Sequence, residues 1–198
     1  MIDDVHYTSL YSIESYFVTE EYIRYIVDKF SKGHLGKADT DAICAEYKRR
    51  FNSMLASVRS VCALMLKTRM LGLHPDFDAI SVNDLFDLAG ESPVVRRNRW
   101  AVLQQNWLGP VQLAARELRK VIPTLALNDQ GRWLRGKLAM QLARIALRLA
   151  VKSLPEASRG KAPDANLISA ESFRYAKQFI GEMPSLAEYC AAEGAGAV

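Results

Sequence analysis

Apolar residues recur at steps of three and four along most of the chain, a pattern that predicts helices. One such run predicts a helix over about residues 20–32, with Thr19 placed to cap it and Gly33 to stop it. A longer stripe predicts a helix from Asp41 to Leu73, which ends before a proline. A third run, Leu134–Leu154, is rich in Leu, Ala and Arg, which are strong helix formers.

Shorter patterns fill the rest of the chain. Ser92 and Pro93 predict a helix that starts at the proline, runs to about Trp107, and resumes after Gly109 as far as Val121. The other predicted elements are an extended piece over 5–13, a helical turn over 83–88, a polar loop over 155–164, and helices over 170–180 and 185–192.

These elements together predict an all-α fold. We expect one helical-bundle-like domain over residues 1–198, with six to eight helices. The helices over 41–73 and 134–154 should form its centre, packed antiparallel or crossed. Residues 1–18 are expected to form an N-terminal arm with one short extended segment, and residues 194–198 a frayed tail.

Composition excludes several classes of protein. Of the 198 residues, 49% are apolar, which is too many for a disordered polyelectrolyte. No apolar run reaches the roughly 18 residues that a transmembrane helix needs, so no membrane contact is expected. The acidic start, MIDDVHY, does not resemble a secretory signal, and the three cysteines are far apart, so we expect a cytoplasmic protein. No phosphate-loop, dinucleotide or zinc-protease motif is present, and no cofactor is expected.

Charge is distributed unevenly along the chain. Residues 91–161 contain 14 Lys and Arg against 4 Asp and Glu, a net charge of +10, whereas both flanking segments are acidic. Such a segment can bind nucleic-acid phosphates, dock on the acidic segments of its own chain, or bind an acidic protein partner. The candidate phosphate-binding residues are Arg96, Arg97, Arg99, Arg116, Arg119, Lys120, Arg135 and Lys137.

Two tryptophans stand beside these arginines. Cations next to flat rings are typical of proteins that stack single-stranded bases. However, Trp100, Leu103 and Trp107 follow one another at steps of three and four on a helix. That spacing favours a core stripe, and Trp133, Leu134 and Leu138 have the same interpretation.

A second hypothesis is an enzyme. Arg69 and His74 are separated by four residues at the end of the long predicted helix. This arrangement resembles the RNA-cleaving motif of HEPN ribonucleases. The resemblance implies a metal-independent cleavage in which His74 takes part in acid–base chemistry and Arg69 stabilises the phosphate. The alternative is a histidine that caps the helix or packs in the core.

Three segments resemble a different family in order along the chain. Tyr11–Phe17 (YSIESYF) is similar to the segment that joins the Toprim nuclease region of OLD-like proteins to their helical tail. Trp133–Leu138 (WLRGKL) and Met183–Tyr189 (MPSLAEY) resemble later motifs of that tail. The resemblance implies that Glu14 lies near an acidic metal cluster. The other Toprim carboxylates are missing here, so a metal site would need a Toprim half supplied by a partner.

We therefore expect a non-enzymatic helical interaction module, similar to the tail of OLD-like Toprim nucleases and related to phage defence. Its basic middle segment would contact nucleic acid or an acidic protein. The alternatives are the HEPN-like ribonuclease, with Arg69 and His74, and a structural protein that forms homo-oligomers through leftover apolar helix faces.

Overall fold

The computed structural model describes residues 17–74, 82–87, 94–109, 115–125, 134 and 136–179. These residues are mostly helical, which confirms the all-α prediction. The predicted extended piece over 5–13, the helix over 185–192 and the tail over 194–198 lie outside the described residues. Of the predicted N-terminal arm, Phe17 and Val18 are described, and both are buried in the core.

Helix α1 spans Glu20–Ser31 and begins as the sequence predicts. The Thr19 hydroxyl accepts a hydrogen bond from the Tyr22 backbone N–H at 3.3 Å, which satisfies one of the free amides of the first turn. Lys32 and Gly33 then turn the chain through left-handed conformations, with φ of 49° and 75°. The helix therefore ends where the glycine predicts.

Helix α2 spans Lys37–Met70 and starts about four residues earlier than predicted. Gly36 is its N-cap, in an extended conformation, and its carbonyl accepts from the Thr40 backbone N–H. At the other end Gly72 adopts a φ of 72°, and the backbone N–H of Leu73 donates to the carbonyl of Thr68. This is the Schellman arrangement, which ends the helix before His74.

The helix predicted to start at Pro93 begins later, at Arg97, and a short pair of strands precedes it. Helix α3 spans Val82–Leu85, and strand β1 (Phe86–Asp87) pairs antiparallel with strand β2 (Val94–Val95). The β-branched pair of strand β2 therefore adopts a strand, where a helix from Pro93 was predicted. Helix α4 begins only at Arg97 and extends to Leu108.

The remaining elements follow the predicted order. Helix α5 (Ala115–Val121) is followed by a 3₁₀ turn (Ile122–Thr124) that contains Pro123. Helix α6 (Gly136–Lys152) matches the predicted run of Leu, Ala and Arg, and one turn of helix, α7 (Glu156–Arg159), forms inside the predicted loop over 155–164. Helix α8 spans Leu167–Phe179.

The centre of the fold is the packing of α6 on α2, as predicted. Along α6 a ridge of four alanines is fully buried, and these short side chains permit a close approach between two helices. Ser158, just beyond the C-terminal end of α6, donates to the Asp39 carboxylate at 2.8 Å. This contact places the end of α6 beside the beginning of α2. The ridge consists of Ala139, Ala143, Ala146 and Ala150.

Helix α1 is fixed to the rest of the domain by buried tyrosines. The Tyr22 hydroxyl donates to the Ile168 carbonyl of α8 at 2.6 Å, and the Tyr22 and Tyr175 rings meet edge to face at 4.6 Å. From α2, the Tyr47 hydroxyl donates to the Val18 carbonyl at 2.7 Å. Each hydroxyl therefore satisfies a buried carbonyl while its ring fills the core.

Candidate nucleic-acid interface

The first cluster of candidate residues lies where α4 begins. Arg96 is the N-cap residue, and both Arg96 and Arg99 are exposed. Arg97 lies between them in the first turn, and its side chain is outside the described part of the structure. The Arg96 backbone N–H donates to the Leu85 carbonyl at 2.9 Å, which holds this end of α4 against α3.

The electrostatics of this helix end are unusual. A helix N-terminus has a partial positive charge and is stabilised by Asp or Glu, but the first turn of α4 contains no acidic residue. Asn98 supplies a side-chain acceptor in this turn: its Oδ1 accepts a hydrogen bond from the Arg99 backbone N–H at 2.9 Å. Exposed arginines at the positive end of a helix dipole favour the binding of an anion such as phosphate.

The second cluster surrounds one carboxylate on α5. Glu117 has three cations within 4 Å: Lys120 at 3.0 Å, Lys67 of α2 at 3.7 Å and Arg116 at 3.8 Å. The hydrogen bond from Lys120 lowers the pKa of Glu117, which favours the ionised carboxylate. Arg119 is also exposed. Positive charge therefore exceeds negative charge on this surface.

Helix α5 is held in place by contacts along the second half of α2. Its Glu117 pairs with Lys67, and the Arg59 guanidinium donates to the Ile122 carbonyl at 2.7 Å just after α5 ends. Arg59 thus acts in packing, with part of its side chain buried. The exposed cations of α5 are attached to a fixed scaffold.

The third cluster lies on α6, and the sequence analysis found only one end of it. Lys137 is exposed in the first turn, whereas Arg135 lies outside the described residues. Further along the same helix Arg148 and Lys152 are also exposed. Arg148 and Lys152 were not among the predicted binding residues. Their helical spacing places them on the same face as Lys137, and that spacing could have identified them.

Several carboxylates of the acidic segments pair with cations of those same segments. Among the described residues, the ion-paired carboxylates of α1 and α2 bind cations of the same two helices, as in Arg24–Asp41 at 2.6 Å and Lys48–Glu20 at 3.0 Å. Glu171 of α8 pairs with Lys29 at 2.8 Å. The carboxylates of Glu20, Asp41 and Glu46 form no ion pair with a described cation of residues 91–161.

The tryptophans beside the arginines belong to the core. Trp107 is 5% exposed, and Trp100 and Leu103 are partly buried and pack against the same cluster of apolar residues. Leu134 and Leu138 are buried as well, and Trp133 lies outside the described residues. The predicted core stripe is confirmed, and neither described ring lies open as a platform for a base.

The two residues of the ribonuclease hypothesis are separated by the end of α2. Arg69 is exposed in the last turn of the helix, and His74 is exposed after the Gly72 turn. They therefore do not share one helical face. The hypothesis itself stays a prediction.

The oligomer hypothesis has a corresponding surface at the same end of α2. Leu66 and Met70 are one helical turn apart and exposed by 41% and 65%, and Leu71 follows at 47%. Exposed apolar residues of this kind are typical of contact surfaces. Formation of homo-oligomers stays a prediction.

Neither a metal-binding cluster nor a membrane-spanning helix occurs among the described residues. Within the described ranges, no three His, Cys, Asp or Glu side chains come together in a group that could hold a metal ion. Glu14, the residue that a Toprim partner would require, lies outside those ranges. None of the described helices has the length and apolar character needed to cross a bilayer.

Comparison with known proteins does not place the chain in a family. No family model matches the chain, and neither a curated protein nor a solved structure is significantly similar to it.

Proposed function

We propose that the protein is a non-enzymatic helical module that binds nucleic acid through the phosphates. Its binding residues are the cations of α4, α5 and the region where α6 begins. The observation that supports this most directly is that Arg96 and Arg99 of α4 and Arg119 of α5 are exposed and form no ion pair with a described residue. The residues are Arg96, Arg97, Arg99, Arg116, Arg119, Lys120, Arg135 and Lys137.

The geometry at α4 favours nucleic acid over an acidic protein. The positive end of the helix dipole at the start of α4 is suited to a phosphate, and the exposed Arg96 and Arg99 beside it supply forked donors for the same group. A carboxylate-rich protein could also pair with the arginines, but it would have to present a surface complementary to this end of α4. The resemblance to the tail of OLD-like nucleases, with a cytoplasmic location and a role in phage defence, is part of this proposal.

Salt dependence of binding tests the proposal directly. We expect the protein to bind a fluorescent duplex of about 20 base pairs, with log K falling linearly with log salt at a slope of about −5 to −7. Each phosphate that a cation neutralises releases counterions and contributes about −0.9 to that slope. Fluorescence anisotropy over a salt series measures it.

The competing outcomes are distinct. Binding that is absent at low salt, or that does not change with salt, contradicts phosphate contact. Poly-L-glutamate serves as the matched control, because it presents the same sign of charge on a protein backbone. If it displaces the duplex at an equal concentration of charge, the partner is an acidic protein and the proposal is wrong.

A gain of affinity is expected from Glu117→Gln. Glu117 holds three cations within 4 Å, and glutamine keeps the shape while removing the negative charge. One more cation then becomes available to phosphate, so affinity for the duplex should rise several-fold and the salt slope should steepen by up to about 1. The same anisotropy titration measures both quantities.

The control for this variant is Glu156→Gln. Glu156 is an exposed carboxylate of the basic segment and lies on α7, in a different part of the fold. It should change affinity by less than about twofold, since no described cation pairs with it. Equal gains from both variants would mean that net charge, rather than the α5 surface, controls binding.

A further inference from the structure

Helix α6 is sharply divided into a buried and a basic side. At 3.6 residues per turn, Lys137, Arg144, Arg148 and Lys152 lie within an arc of about 80°. The buried alanine ridge lies on the opposite side of the helix. The four cations extend over about 22 Å of helix axis. We refer to them as the α6 stripe.

The charge of the α6 stripe is not balanced along the helix. Residues 136–152 contain no Asp or Glu. Arg148 and Lys152 are exposed, and no ion pair connects either of them to another described residue. Like charges one turn apart destabilise a helix slightly, whereas the helix dipole favours Lys152 in the last turn. Arg144 differs, because its guanidinium donates to the Asn166 side-chain oxygen and is partly buried.

The exposed apolar side chains indicate which kind of nucleic acid suits this surface. Among the described residues, the large apolar side chains that are exposed are Leu66, Met70, Leu71, Val94 and Val102, and none of them is aromatic. Proteins that bind single strands stack bases on exposed rings, and each base contributes substantially to affinity. A surface of cations alone recognises phosphates, which a duplex presents in a dense and regular array.

We propose that the α6 stripe lies along the phosphate backbone of double-stranded nucleic acid, with Arg148 and Lys152 as its principal contacts and no reading of base sequence. The inference rests on the proposed function and extends it, since it names the duplex as the ligand and adds a surface to the interface. A duplex presents about one negative charge per 1.7 Å of axis, so the length of the stripe faces a continuous series of phosphates.

The test is the double variant Arg148→Gln, Lys152→Gln in the full chain. At about 0.1 M salt, loss of two phosphate contacts should weaken duplex binding about 60-fold and make the salt slope shallower by about 1.8. The probes are a DNA duplex and an RNA duplex of about 20 base pairs, and single-stranded oligothymidylate of equal length. We expect wild type to bind at least one duplex more tightly than the single strand.

The matched control is Lys32→Asn, Lys37→Gln, which removes two exposed lysines from the acidic part of the chain. It should leave duplex affinity within about twofold of wild type. Unchanged duplex binding in the α6 variant, with an intact circular-dichroism spectrum, overturns the placement on α6. Tighter binding of the single strand by wild type overturns the choice of duplex. Failure of wild type to bind any probe contradicts the proposed function itself.

Discussion

Leu142→Ala is expected to lower the free energy of unfolding by about 3 to 5 kcal/mol, the upper part of the range for such substitutions. Leu142 is fully buried on α6, the helix that packs most extensively on α2. Its neighbours one turn away on α6 are Ala139 and Ala146, which are also fully buried. Since these short side chains cannot extend into the space left behind, most of the cavity should persist.

Urea unfolding followed by circular dichroism measures this loss, with the m-value as a check that the unfolded reference is unchanged. Leu66→Ala is the matched control, because it makes the same chemical change on a helix at a side chain that is 41% exposed. It should cost about 1 kcal/mol or less. Equal losses from both variants would mean that α6 does not form the centre of the fold.

The parts of the fold that local signals control were predictable from sequence. Thr19 and Gly33 fix the two ends of α1, and Gly72 ends α2, because capping and positive φ depend on the residue type itself. The start of α4 was not predictable in the same way. Val94 and Val95 pair with Phe86 and Asp87. The β-branched residues permit a strand, but neither segment alone indicates which segment is its partner.

The sequence predicts the net positive charge of the candidate site, but it does not predict which of its cations lie together on the surface. The sequence shows an excess of cations in residues 91–161, but it does not show which carboxylates they meet. Some pairings within α2 do follow from spacing, as in Glu46 with Arg49 and Arg50 three and four residues later. The contact of Glu117 with Lys67 is different, since it depends on how α5 packs along α2.

The comparison of α4 with α6 explains why both surfaces are needed in the proposal. The α4 arginines are grouped at one helix end, where three charges can contact neighbouring phosphates. The α6 stripe is linear and follows a longer path. Both are rigidly held, α4 through Arg96 and Leu85, and α6 through its alanine ridge. Because the two helices are already in place, the entropy lost on binding is mainly that of the exposed Arg and Lys side chains.

The triple variant Arg96→Ala, Arg97→Ala, Arg99→Ala should produce the largest loss of binding. Removal of three phosphate contacts is expected to weaken duplex affinity about 500-fold at about 0.1 M salt and to make the salt slope shallower by about 2.7. Anisotropy titrations at several salt concentrations measure both, and the pair Lys32→Asn, Lys37→Gln again controls for net charge. An unchanged salt slope would exclude α4 from the interface.

The same variant separates a binding role from a structural one. Cations at a helix N-terminus oppose the helix dipole, and no described carboxylate pairs with Arg96 or Arg99. Their removal should therefore leave the free energy of unfolding unchanged or slightly raised. Urea unfolding of the triple variant measures it. A loss of stability together with a loss of binding would mean that the arginines hold α4 in place, whereas a loss of binding alone identifies them as the residues that contact phosphate.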